Sequence, residues 1–246
     1  MVFSGLMNRA PRFAGGDGYS LGIGGAITPA VKYLVIANSA VFLLKFLLES
    51  LGLEAVFLRL FGLMPSLVFG SLFLWQPVTY LFIHGDLGHI LVNMFMLWMF
   101  GAEMERIWGT RRFLKYYFLT GVGAGIVTCL FSPQSLTIGA SGAVFGVMLA
   151  YGLTFPNRQI LFWFVFPMKA KHFVLLMGGI ELLASASWVS DGIGHFAHLG
   201  GMLFGYIYLK KAWRLKDWVA ELRWKVRRRR FEVFDGEEER KKYPFH

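Results

Sequence analysis

Six stretches of this chain are apolar for nearly the length that crosses a bilayer, and that limits its fold more than any other feature. They cover about 31–49, 87–104, 113–131, 139–156, 171–189 and 193–210. Runs such as YLVIANSAVFLLKFLL from Tyr33 and HILVNMFMLWMFG from His89 are continuous rather than alternating, and they approach the ~20 residues needed to span the hydrocarbon core. Of 246 residues, 56% are hydrophobic and only 16% charged, too little charge for the surface of a soluble domain of this size. The expected fold is all-α: a polytopic membrane protein whose spans pack as a six-helix bundle.

Positive charge sets the orientation, because cytoplasmic loops collect Lys and Arg. Arg9 and Arg12 precede span one, and Arg106, Arg111, Arg112 and Lys115 separate spans two and three. Arg158, Lys169 and Lys171 separate spans four and five, and KKAWRLK and RRRR follow span six. Only Lys45 and Arg59 fall clearly toward the other side, so both termini are expected in the cytoplasm. The net charge of +10 is mostly this bias and gives no reason to expect nucleic-acid binding. No apolar segment followed by a cleavage site precedes span one, so no removable signal peptide is expected. The single cysteine, Cys129, excludes an internal disulfide and a multi-cysteine metal site.

Three regions follow: a flexible Gly-rich leader over 1–30, a membrane domain over 31–210 and a basic tail over 211–246. The external stretch from Ser50 to Ile83 is too apolar for a solvated loop, and Trp75 suits a structured element lying in the membrane interface. The cytoplasmic connector PNRQILFWFVFPMKAKH is too short to cross and is expected as an interfacial hairpin. In the tail, Leu215, Trp218, Leu222 and Val226 recur at helical spacing beside basic residues, the pattern of an amphipathic helix on an anionic inner leaflet. A solvated tail is the plainer alternative.

Polar groups inside spans are costly and so point to function. His89 and Asn93 in span two, Ser141 in span four and His198 in span six all fall near the N-terminal ends of helices running the same way, which puts them in one layer of the outer membrane. A serine hydroxyl becomes a nucleophile when a neighbouring histidine takes its proton, and His198 is the natural partner for Ser141. His89 and Asn93, at i and i+4, share a helix face. With the Ser141 backbone N–H they could stabilise an oxyanion. Gly139, Gly142 and Gly146 in span four and Gly194, Gly201 and Gly205 in span six would let the two helices approach closely. Each residue also has a plainer reading: a serine among glycines as packing material, His84 as a structural residue bonded to backbone at the start of a helix, His195 as a rival base, and Arg106 with Glu103 or Glu105 as an ion-pair network at the cytoplasmic end.

The motifs HGDLGHILVN with His84, His89 and Asn93, GAEMERIWG with Glu105 and Gly109, GASGAVFG with Ser141, and AHLGGMLFG with His198, Gly201 and Gly205 together resemble the rhomboid intramembrane serine proteases. The resemblance implies a bundle in which a Ser-His dyad, without a third acid, cleaves transmembrane segments of other proteins near the outer face of the cell membrane. It makes Ser141 the nucleophile, His198 the base, and His89, Asn93 and the Ser141 N–H the oxyanion site. It also sets Phe145 against the base, makes the external element a membrane-embedded loop and span five a substrate gate, and calls for no cofactor or metal.

Two other classes remain. A catalytically dead relative that retains client helices would lack a member of the dyad, and both are present. A transporter would show charged residues deep in several spans or paired discontinuous helices, and no internal repeat of that kind is evident.

Overall fold

The computed structural model describes residues 25–162, 166–186 and 194–228. Most of the expected leader and the last part of the tail fall outside these residues. Helix α1 (Pro29–Ser50) begins with proline at its first turn, where the missing N–H costs nothing. The free N–H groups of Ala30 and Val31 donate to the Glu105 carboxylate at 2.9 and 3.1 Å, and the hydroxyls of Thr28 and Thr110 donate to it as well. Glu105 therefore caps α1 instead of pairing with Arg106. The cation of Arg106 sits 2.9 Å from Glu103, which also receives Arg158 at 3.2 Å.

The apolar stretch after α1 folds into short helices α2 (Glu54–Phe61), α3 (Pro65–Gly70) and α4 (Gln76–Thr79), the last running into a 3₁₀ turn at Tyr80–Phe82. Gln76 is fully buried and ties the element together: its side-chain oxygen accepts from the Met64 N–H at 3.0 Å and its amide donates to the Arg59 carbonyl at 2.8 Å. Lys45, buried on α1, reaches Glu54 at 2.8 Å and the Gly85 carbonyl at 3.1 Å. It thereby links α1 to α2 and to the loop before α5.

The second apolar run forms α5 (Leu87–Met96), a π-helical turn at Leu97–Gly101 and α6 (Ala102–Trp108), followed by α7 (Thr110–Phe131). Among the described residues, three segments, Pro29–Ser50, Leu87–Trp108 and Thr110–Phe131, are long and apolar enough to cross a membrane. Helix α8 (Ser141–Thr154) is apolar but has only 14 residues, about 21 Å at 1.5 Å per residue, less than the ~30 Å core. Nine of its residues are buried, which makes it a central helix hydrophobic all round.

The connector is a two-stranded antiparallel hairpin, β1 (Gln159–Phe162) with β2 (Phe166–Lys169), Gln159 opposite Lys169. This departs from an all-α fold. A segment too short to cross still has to pair its backbone groups, and its aromatic and branched side chains favour strands. Helix α9 (Ala170–Ala186) turns Ala170, Phe173, Val174 and Glu181 inward. Helix α10 (His195–Arg228) runs without a break through the expected junction at 210 into the basic segment. Helices α7, α8 and α10 pack on one another as the centre of the fold. Leucines of α1 and α9 such as Leu43, Leu175 and Leu183 stay exposed on its outside, as lipid-facing positions require.

Candidate active site

Ser141 owes its position to a pinned loop. After α7, Thr137 exchanges both backbone hydrogen bonds with Leu63 at 2.9 Å, and the Gly139 N–H donates to the Tyr80 carbonyl at 2.9 Å. The short-helix element from α2 to the 3₁₀ turn thus holds the chain that leads into α8. Gly139 has φ +123°, and a Cβ there would stand 2.7 Å from His89 Nε2 and 3.7 Å from Ser141 Oγ. Only glycine suits both the backbone and the space. Ser141 is the first residue of α8, where a backbone N–H has no intrahelical acceptor and lies at the positive end of the dipole.

The structure brings His198 to this serine, with Nε2 2.7 Å from Oγ. The imidazole is 7% exposed and stacks on Phe145, ring centroids 4.2 Å apart and planes 7° from parallel. The approach of α8 and α10 depends on Gly201, since a Cβ there would overlap the carbonyl of Gly142. The remaining glycines work differently from the expected seam between spans four and six. Gly146 faces Thr120 and Gly205 faces the Tyr116 hydroxyl, both on α7, while Gly142 meets Ala124 of α7 as well as the Ala197 carbonyl. Buried side chains of α7 thus pack beside the direct α8–α10 contact, so each stripe meets α7 as well as the opposite helix.

On α5, the Asp86 side chain caps the helix by accepting the His89 N–H at 2.9 Å. The Gly85 N–H points to His89 Nδ1 at 3.4 Å. A ring that accepts at Nδ1 carries its proton on Nε2, the nitrogen beside Gly139 and Ser141. One N–H of the Asn93 amide donates to the His89 carbonyl at 2.9 Å, which leaves the second as a donor. Ser141, His198, His89, Asn93 and Phe145 all line one cavity of about 1320 Å³.

His84 is fully buried and packs edge-on against His89 at 4.9 Å. The Phe82 backbone is near it, but neither ring nitrogen meets hydrogen-bond geometry, so the expected backbone bond is not made. His195 turns a ring nitrogen to α9. Its Nδ1 is 2.6 Å from Glu181 Oε2, and the same oxygen is 2.9 Å from His198 Nδ1. That second contact has ion-pair distance without the full angular geometry of a hydrogen bond.

Glu181 is the residue that the sequence reading overlooked. A carboxylate in the apolar run LLMGGIELLASA, in helical register with Phe173, Val174 and Met177, carries the signal that marks functional groups in a span. The donor atoms of Glu181, His195 and His198 lie within 4.8 Å of one another. However, 2.6 Å is a hydrogen-bond separation, shorter than the ~3.3 Å between two ligands of a tetrahedral zinc ion with ~2.0 Å bonds. The cluster is closed by its own contacts instead of being opened around an ion.

The rhomboid domain model matches residues 71–214, which include every residue of the cavity named above. The chain is 31% identical to RHOMBOID-like protein 4 of Arabidopsis thaliana over 133 residues, 54% of this chain and 32% of that protein. It is 33% identical to Rhomboid protein 1, mitochondrial, of Saccharomyces cerevisiae over 141 residues, 52% of this chain and 38% of the relative. Over 182 residues it is 29% identical to Rhomboid protease GluP of Bacillus subtilis, 72% of this chain and 34% of the relative. The aligned part therefore spans roughly a third of the length of each of these relatives. With a domain match over more than half of its length and a core of apolar membrane helices, the chain is a membrane protein that belongs to the rhomboid family.

Proposed function

We propose that the protein is an intramembrane serine endopeptidase that hydrolyses peptide bonds in the transmembrane segments of single-span proteins near the outer face of the cell membrane. The observation that carries this reading is the 2.7 Å contact between Ser141 Oγ and His198 Nε2 inside a cavity at the N-terminal end of α8. His198 Nε2 accepts the Ser141 proton as Oγ attacks the substrate carbonyl. His89 Nε2, the Asn93 amide and the Ser141 N–H then donate to the resulting oxyanion. His198 returns the proton to the leaving nitrogen, and water repeats the sequence in reverse on the acyl-enzyme.

In this reading the chain crosses the membrane six times with both termini in the cytoplasm, and its basic tail rests on anionic inner-leaflet lipid. The chemistry calls for no cofactor. A helical substrate hides its carbonyls in backbone hydrogen bonds, so segments that unwind easily at Gly or Pro are the favoured substrates. Similarity to Rhomboid protease GluP of Bacillus subtilis and to Rhomboid-like protease 3 of Toxoplasma gondii supports the assignment.

The test is cleavage of a generic transmembrane substrate by the purified protein in liposomes. Cleavage by the native protein that Ser141→Ala abolishes is the expected result; undiminished cleavage by Ser141→Ala would refute the proposal.

A further inference from the structure

We infer that Glu181 is a positioning residue for His198, a carboxylate that makes the Ser141–His198 pair a three-membered relay anchored on α9. This rests on the proposed hydrolase reading of the site. Glu181 is 8% exposed in an apolar stretch of α9, and its Oε2 stands 2.9 Å from His198 Nδ1 while His198 Nε2 meets Ser141 at 2.7 Å. The carboxylate and the serine therefore sit at opposite nitrogens of one imidazole.

For His198 to accept a proton at Nε2, its resting proton must be on Nδ1. A carboxylate oxygen accepts and cannot donate, so it favours that tautomer. It also opposes the charge of the imidazolium that forms when Ser141 is deprotonated.

A second contact fixes the carboxylate itself. His195 Nδ1 is 2.6 Å from the same Oε2, one helical turn before His198 on α10. Phe145 covers the face of the His198 ring, so the imidazole is bounded at Nε2, at Nδ1 and on one face. Among the described residues, the other titratable groups that face it are His195 on α10, with ring centroids 6.4 Å apart, and His89 on α5. Among the described residues, no carboxylate other than Glu181 is within ion-pair distance of His198. A buried carboxylate whose only task was to tie α9 to α10 would need His195 alone.

The proposal is tested on the full-length protein in liposomes with Glu181→Gln, which keeps the shape, removes the charge and can offer an N–H to Nδ1. The expected result is a kcat lower by about 10²-fold with KM within about threefold, because an interaction made chiefly in the transition state has been lost. Glu181→Asp restores the charge one methylene further back and is expected to recover at least about tenfold over Glu181→Gln. His195→Gln, which frees one anchor of the carboxylate, is expected to lower kcat by less than Glu181→Gln does.

Melting temperatures measured in parallel allow each rate to be normalised to folded protein. A Glu181→Gln enzyme with native kcat would overturn the inference, as would a loss that Glu181→Asp does not relieve at all. Either outcome would leave the hydrolase reading intact if native protein cleaves and Ser141→Ala does not. Absence of cleavage by the native protein would instead count against that reading.

Discussion

Phe145 and His198 lie face to face, with ring centroids 4.2 Å apart and planes 7° from parallel. Phe145 is one turn after Ser141 on α8, so the helix that carries Ser141 also sets the plane of the His198 ring. Stacked aromatic pairs contribute about 0.5–1.5 kcal/mol beyond their buried area. Phe145→Leu should therefore reduce kcat by about two- to tenfold while the protein stays folded, a difference that steady-state cleavage and thermal melting would separate.

Gly201 is the narrowest point of the α8–α10 contact. A methyl there would collide with the Gly142 carbonyl, which is backbone and cannot rotate away. Gly201→Ala is expected to cost about 1–3 kcal/mol or more, since overpacking moves whole helices, and to pull His198 from Ser141. Gly179→Ala on α9 is the control, because nothing lies within 4 Å of the added atom. Melting in detergent should show a large drop for the first variant and little change for the second.

The oxyanion assignment makes a kinetic prediction. Asn93→Ala and His89→Ala should each lower kcat by about 10²-fold or more, the scale of losing one donor to the developing charge. Measurement of both kcat and KM checks it: a change confined to KM would show that the side chain only contacts the bound substrate.

Much of this site was legible in the sequence because topology alone sorts residues by depth. His89, Asn93, Ser141 and His198 follow external links at similar spacing, and they line one cavity. The glycines were legible as close-packing positions but not by partner. Which helix a small residue faces depends on rotation about the helix axis, and the sequence does not show that Gly146 turns to Thr120.

The sequence offers Glu103 or Glu105 as the ion-pair partner of Arg106, and the pair forms with Glu103 and not with Glu105. The Glu105 carboxylate instead turns to the unpaired N–H groups that begin α1, a contact 74 residues away for Val31. Glu181 escaped notice for a related reason: its neighbours in sequence are apolar, and both histidines that give it meaning come from α10. The hairpin over β1 and β2 takes the form expected of a connector too short to cross, and only the all-α fold class leaves no place for its strands, in which pairing across the connector satisfies the backbone groups in few residues.

The central claim is that His198 activates Ser141. Labelling of the purified native protein in liposomes with a fluorophosphonate probe, followed by peptide mapping, tests it without knowledge of the substrate. The account predicts covalent modification at Ser141 that disappears in Ser141→Ala and falls to background in His198→Ala. Labelling at another residue, or labelling of Ser141 at the native rate in folded His198→Ala, would contradict it.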